Sequence, residues 1–513
     1  MITRLKKLFK PVSKFLRHSP SVSGLRRSRH PSFESLHLIA PSIVQTGEQF
    51  SVKALSWDSY GRLYPLERGF TVKNSEGFSR EIEFEDETMT RFTTELEEPG
   101  IHYFVARSGS DVYVSNPVKA TSDEPGEKLY WGDIHLHSGF SDGVSTPGKG
   151  FEYGRDVMDL DVVAYTDHDT MGFFIPPALQ LRRMRKKYFQ ATKEAVEQYH
   201  EPGEFVTLMG YEWTHQPNKG SHINVYFEDT DGAELYSSRD PESDSPEKLW
   251  KRIDEWETEH DSRTLTAVHH SPSEMFPFDF GENYDEEKAP VVEVYSRWGS
   301  SEHPDTDLPI EMGQGRKKEK NHYVQGAFER GLKAGMIGGS DHHGPYPGHS
   351  LIHEEPHLPS WSELRDRGLG WGNIWRIWDE PSYPGGLTGF YAPELSREAI
   401  LDSLETRAAY ATTQPHRILV DFRVNDTRFG ENDSETRGET AEISFQVAGT
   451  APIEKIEVVR DNQLYEQFEP EGAGLDRYTV KKTVVDEEPG KFYYLRVKQE
   501  DSGRAWAGPI WMG

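Results

Sequence analysis

The sequence of 513 residues contains no cysteine. Disulfides and thiolate metal sites are thereby excluded, so any metal must be held by histidine, carboxylate or backbone oxygen. This absence leaves the redox compartment undecided. No apolar run approaches the ~18–20 residues needed to span a bilayer, and the basic start of the chain lacks the apolar core of a signal peptide. A cytoplasmic protein is the expectation. A phosphate-binding loop, a Rossmann glycine fingerprint and a zinc-finger pattern are also missing. Positive charge is scarce: the formal net charge is −28. The first 33 residues hold nine Lys and Arg and no Asp or Glu, leaving −37 on the rest. A body that acidic repels phosphate backbones over long range, which argues against nucleic-acid partners.

The length suits several domains, and the apolar and aromatic content suits packed cores. Residues 1–33 read as a basic, disordered tail. Leu5, Leu8, Phe9, Val12, Phe15 and Leu16 could line one face of a short helix there, allowing weak contact with an anionic membrane surface. Residues 34–125 alternate short strands with Gly and polar turns, as in Phe50–Leu55 and Tyr103–Ala106, and read as a β-sandwich. From 126 to 416 strands alternate with helices, which predicts a parallel α/β architecture. Ser245 caps a helix with Pro246 in its first turn, Tyr323–Lys333 forms another, and Ser396 caps a third. Residues 417–513 return to strands and read as a second β-sandwich.

The chemistry clusters at the ends of apolar strands. The first runs into His135-Leu136-His137, where side chains two apart share one side and can grip one ion. Asp142 follows in Ser141-Asp142-Gly143 and by itself reads as a turn residue. Val162–Tyr165 leads into Asp167-His168-Asp169, Val206–Met209 into Glu212, and Leu265–Val268 into His269-His270. Met336–Gly338 leads into Asp341-His342-His343, with His342 facing away. In parallel barrels strand ends converge on one mouth. Five ends of metal-ligand type are hard to explain by solvation. His200, His215, His260, His303 and His322 fall in helix or loop contexts and read as ordinary. Arg297, after the strand Val291–Ser296, is either a phosphate-holding cation or a salt-bridge partner. Glu293 either orients a ligand or pairs with a cation.

The order His-x-His, Ser-Asp-Gly, Thr-Asp-His-Asp, Gly-x-Glu, His, His and Ser-Asp-x-His resembles the PHP superfamily, the polymerase and histidinol phosphatase group. Tyr130–His137, Gly338–Asp341 and Tyr410–Thr413 are similar to a PHP-like family of unknown function. The resemblance spans about 130–417. It implies a distorted seven-stranded β/α barrel with up to three metals, and nitrogen and oxygen donors suit zinc, manganese or iron. It places His135, His137, Glu212 and Asp341 around one ion. His222 and one of His269 and His270 go around a second, with Glu212 bridging. Asp142, His168 and His343 go around a third. His269, nearer the strand, is favoured over His270, but both stay open. His222 opens a strand rather than ending one, and only the resemblance makes it a ligand.

The implied activity is hydrolysis of a small phosphate ester by a metal-bridged hydroxide. Glu212, Asp341 and Arg297 are the catalytic candidates. One alternative is an amide or ester hydrolase using the same hydroxide. Another is a non-catalytic sugar- or surface-binding protein, motivated by the two sandwiches and by Trp361, Trp371, Trp375 and Trp378.

Overall fold

The computed structural model describes residues 32–58, 61–281, 284–312, 315–350 and 383–513, with Trp361, Arg365, Gly370 and Trp371. The tail up to Pro31, Trp375 and Trp378 lie outside the described residues. The architecture is mixed α/β, rich in strands and divided among several sheets. Among the described residues no helix is long and apolar enough to cross a membrane.

Strands between Phe33 and Thr121 form three small sheets. Their apolar side chains, among them Leu38, Val52, Phe70, Phe104 and Val118, make a core of their own. This unit is clamped to the rest at one turn. Lys53 Nζ donates to the carbonyls of Asp156 at 2.7 Å and Val157 at 3.1 Å, and pairs with Asp159. Arg417 donates to the carbonyls of Met158 at 2.6 Å and Asp159 at 2.7 Å. Cations from both flanks thus satisfy the carbonyls where the Pro147–Val157 helical segment ends.

The site is carried by strands β1 (Lys128–Asp133), β2 (Val162–Tyr165), β3 (Val206–Thr214), β4 (His222–Phe227), β5 (Thr264–Val268), β6 (Val291–Ser296), β7 (Gly335–Gly338), β8 (Gly386–Ala392) and β9 (Ala409–Thr413). The hydrogen-bonded order is β6-β5-β4-β3-β2-β1-β8-β9, with β7 beside β6. The ladder runs on from β9 into Arg504–Met512 of the C-terminal segment.

Two expectations are corrected, the uniformly parallel sheet and the extent of one helix. The sheet is not uniformly parallel, because β4 runs antiparallel to both β3 and β5. Residues 215–221 join β3 to β4, a hairpin link rather than the dozen or so residues a parallel crossover requires. Nor does a ladder close the strands into a barrel among the described residues. Beyond β7 and β1 the two segments meet at the isolated parallel bridge Leu136–His342, with the Asp341 amide donating to the His135 carbonyl at 2.8 Å and the His137 amide to the His342 carbonyl at 2.9 Å. The Thr388 hydroxyl, at 2.6 Å, and the Gly386 amide, at 2.8 Å, satisfy the Gly338 and Gly339 carbonyls. Finally, the helix expected at Tyr323–Lys333 is the shorter Val324–Glu329, ended by Gly331 in the left-handed region at φ 81°. The helices begun by Ser245 and Ser396 stand as expected, each serine accepting from the amide three residues on.

Alternation along the strands divides their side chains between two cores. Val163, Tyr165, Met209, Tyr211 and Val268 face the large core. Val162, Ala164, Val206, Leu208, Leu265, Ala267 and Val291 face a second one, closed off by Ile400, Leu401 and Leu404 of the helix Arg397–Glu405. The period of two puts Glu212 on the face of Val206 and Leu208. It likewise puts His269 with Leu265 and Ala267, and Glu293 with Val291. The polar ends of these strands therefore cap the second core.

Candidate metal centre

Three sets of buried donors meet at that cap. His137, Asp142, His168 and His343 form one; Glu212, His222, His269 and His270 a second; His135, His137 and Asp341 a third. Within each set the donor atoms lie within 4.8 Å of one another. Every metal-ligand candidate named from the sequence falls in a set. Both His269 and His270 fall in the second set. His269 continues the inward face of β5, and His270 turns back by adopting φ 35°. Asp341 is also left-handed, at φ 51°. Non-glycine residues held there are a marker of functional sites. His222 reaches the cap because β4 runs antiparallel, so its first residue lies beside the end of β3, in register with Thr214.

The sets are joined by short contacts. His137 Nε2 lies 3.2 Å from Glu212 Oε2 and 3.1 Å from Asp341 Oδ1. His135 Nε2 lies 3.3 Å from Glu212 Oε2. His168 Nδ1 is 3.1 Å and His269 Nε2 3.4 Å from Glu212 Oε1, which His222 Nδ1 also meets. Glu212 is thus in contact with five imidazoles while buried.

Electrostatics split the histidines. Burial opposes charge on His135 and His137, yet the carboxylates of Glu293, Asp341 and Glu212 outweigh it and raise both, His137 to about 10. Burial prevails at His222, His269, His270 and His343 and pulls each down, toward the neutral form that ligates. Burial pushes Glu212 and Asp341 up, but the surrounding histidines hold both carboxyls well below their ordinary values. The Nδ1 atoms of His137, His269 and His270 are buried without a hydrogen-bond partner. Buried polar atoms without partners are costly. Bound cations would satisfy them, so these residues fit a metal centre with nitrogen and oxygen donors.

Supporting residues fix the donors. Glu293 Oε2 accepts from His135 Nδ1 at 2.8 Å, the ligand-orienting arrangement that was one of its two readings. Asp167 accepts from the amide and hydroxyl of Ser138, at 2.8 and 2.6 Å, and from the Ser141 hydroxyl at 2.6 Å. It thereby sets the loop that presents Asp142. A Cβ on Gly143 would lie 2.7 Å from the carbonyl carbon of His137, which explains the glycine of that motif. Arg297 is fully buried, with its guanidinium 4.5 Å from the centre of the Trp298 ring. Burial pulls it down to about 9, while Asp341 and Asp142 favour its charge. His342 is in no set; its ring lies 5.9 Å from that of Tyr346. His200, His215, His260, His303 and His322 also stay outside all three sets.

The sequence did not reveal the apolar side of the site. A cavity of about 310 Å³ opens over Asp142, His168, His222, His270, Asp341 and His343. Met171, Met275, Phe276, Trp298, Met312 and Trp371 line the rest. Trp298 Nε1 donates to Asp341 Oδ2. No periodicity marks these residues, because all but Trp371 come from loops and turns.

The chain belongs to a family of proteins of unknown function, DUF3604, whose model matches residues 156–493. His135, His137 and Asp142 precede the matched span. Uncharacterised proteins of Chlamydia are similar to it. The Chlamydia pneumoniae protein is 26% identical over 440 residues, covering 81% of this chain, and the chain spans 62% of that relative's length. The Chlamydia trachomatis protein is 25% identical, covering 93% of this chain and 74% of its own length. A solved two-domain protein from Bacteroides vulgatus, described as containing a predicted PHP-like metal-dependent phosphoesterase, aligns with 13% identity. The alignment covers 76% of this chain and 97% of that one, but its TM-score of 0.34 is too low to bear on the site.

Proposed function

We propose that the chain is a metal-dependent hydrolase of small phosphate esters. The observation that carries this reading is the fusion of three buried donor sets through His137 and the Glu212 contacts. The all-nitrogen-and-oxygen donors suit zinc, manganese or iron, two or three ions in all. His135, His137, Asp142, His168, Glu212, His222, His269, His270, Asp341 and His343 would hold them. Bound there, such ions would polarise a phosphoryl oxygen and would lower the pKa of water from ~15.7 towards ~7. Glu212 fixes the spacing of the imidazoles around it. Asp341, held by the Trp298 indole, orients its carboxylate toward His137. Arg297 adds positive charge beside Asp341 and Asp142 in a place closed to water, where charge acts strongly. We also take residues 126–416 as a distorted β/α barrel of seven strands, flanked by β-sandwiches at 34–125 and 417–513. The separate N-terminal core and the same-face stacking of the strand ends support that division.

The test is metal analysis of the purified chain together with turnover of a broad phosphoester panel after loading with zinc, manganese or iron. Activity lost in Asp341→Asn and His135→Ala, with the fold intact by circular dichroism, supports the reading. A fully loaded protein inactive on the whole panel overturns it.

A further inference from the structure

The cavity over the donor sets has two unlike halves. One consists of carboxylates and imidazoles; the other holds three methionines, a phenylalanine and two tryptophans. Phe276, Ile310 and Met312, with Met171, Met275 and Trp298 against them, form an apolar cluster separate from the main cores. It sits directly on the site: the Phe276 ring lies 3.9 Å from that of His222. Farther out, Phe173 and Phe174 pack on Trp371 with ring centres 5.1 and 5.7 Å apart. Phe174 is 80% exposed and held at φ 54°. A bulky residue there is a genuine backbone outlier.

Among the described residues the lining includes no Lys, Arg, Asn, Gln, Ser or Thr. A sugar, a polyol or a second phosphate in the apolar half would give up its hydrogen bonds to water and find none in return. A flat apolar group loses nothing there, and methionine sulfur packs well against aromatic rings. The volume of about 310 Å³ is at the small end for a ligand pocket, enough for a phosphoryl group and one or two fused rings.

We infer that the substrate is a phosphate ester of an aromatic alcohol, with the phosphoryl group over the donor sets and the arene among Met275, Phe276, Trp298 and Met312. This inference rests on the hydrolase reading for its phosphate half, whereas its arene half stands on the cavity alone. The two are tested separately in the metal-loaded full chain.

In the first arm kcat/KM is compared for 2-naphthylmethyl phosphate, benzyl (phenylmethyl) phosphate and glycerol phosphate, all esters of alkyl-type alcohols, so that the order reports the ring and not the leaving group. The expected order is naphthylmethyl, then benzyl, then glycerol, with naphthylmethyl at least ~100-fold above glycerol. Met312→Gln lowers the naphthylmethyl-to-glycerol ratio about tenfold, and Met312→Leu, which keeps an apolar side chain, restores it. In the second arm 2-naphthol alone is titrated against tryptophan fluorescence. Saturable quenching is expected, weakened in Met312→Gln. Equal turnover of arylmethyl and glycerol esters, or no saturable naphthol binding, overturns the arene assignment even if phosphoesters are cleaved. Naphthol binding without turnover of any phosphoester leaves the arene site standing and overturns the hydrolase reading instead.

Discussion

Glu212 Oε2 lies 3.2 Å from His137 Nε2, and this contact links the donor set that contains Glu212 to the two that share His137. Neither residue can be altered without disturbing neighbouring sets. Glu212→Gln keeps the shape of the side chain and removes its charge. The expected outcome is loss of more than one bound ion per chain and at least ~100-fold lower turnover. Metal stoichiometry by mass spectrometry checks it; a variant still fully loaded would contradict the linked arrangement.

Glu293 acts through His135, whose Nδ1 it holds at 2.8 Å. Glu293→Gln is expected to weaken metal affinity by about 10- to 100-fold while circular dichroism stays unchanged. Competition against a chelator of known affinity measures it. Unaltered affinity would return Glu293 to the role of an ordinary buried acid.

Gly339 packs against the centre. A Cβ there would collide with Glu293 Oε2 and lie 2.6 Å from His135 Cβ. Gly339→Ala is expected to cost about 1–3 kcal/mol by overpacking and to reduce metal content by displacing both side chains. Denaturant unfolding and metal analysis of the same preparation read the two effects.

Chelation is expected to lower the unfolding temperature, because the ions bind the folded chain only. The Nδ1 atoms of His137, His269 and His270 are then left buried and unsatisfied. Calorimetry with and without chelator, followed by metal return, checks this. An identical melting curve in both states would contradict it.

Lys53 gives a pH signature away from the centre. Burial pushes its ammonium down to about 8, against the pull of Asp159. Between pH 8 and 10.5 the unfolded chain holds a proton here that the folded chain has released. Stability linked to this group therefore rises with pH across that window, and the cost of the buried charge is fully present below it. Lys53→Met is expected to remove up to one proton from the difference in uptake. Unfolding free energies of both proteins at several pH values from 8 to 10.5 measure the slope.

Much of this was legible in the sequence. The strand Val162–Tyr165 is read to the residue, because four consecutive apolar positions before a polar run describe a strand buried on both faces. The Ser245 and Ser396 helices announce themselves through their caps. The direction of β4 was hidden. A hairpin and a crossover differ in where the next strand lies, which periodicity does not encode. The same holds for the glycine carbonyls at the end of β7, which Thr388 and Gly386 claim across the sheet.

The sequence by itself determined which residue types end which strands, and so that His135 and His137, His168, Glu212, His269 and Asp341 would stand at polar strand ends. Alternation and apolar runs are local properties, and five such ends are a pattern that local properties reveal. Only the tertiary structure decided how the ends combine. It brought His222 in from the start of an antiparallel strand and admitted both His269 and His270. It also put His137 in two donor sets and set an apolar half beside the polar one. The physical reason is that donor geometry depends on distances between strands and loops far apart in the chain. Those distances are fixed by packing of the two cores beneath the site, not by spacing along the sequence.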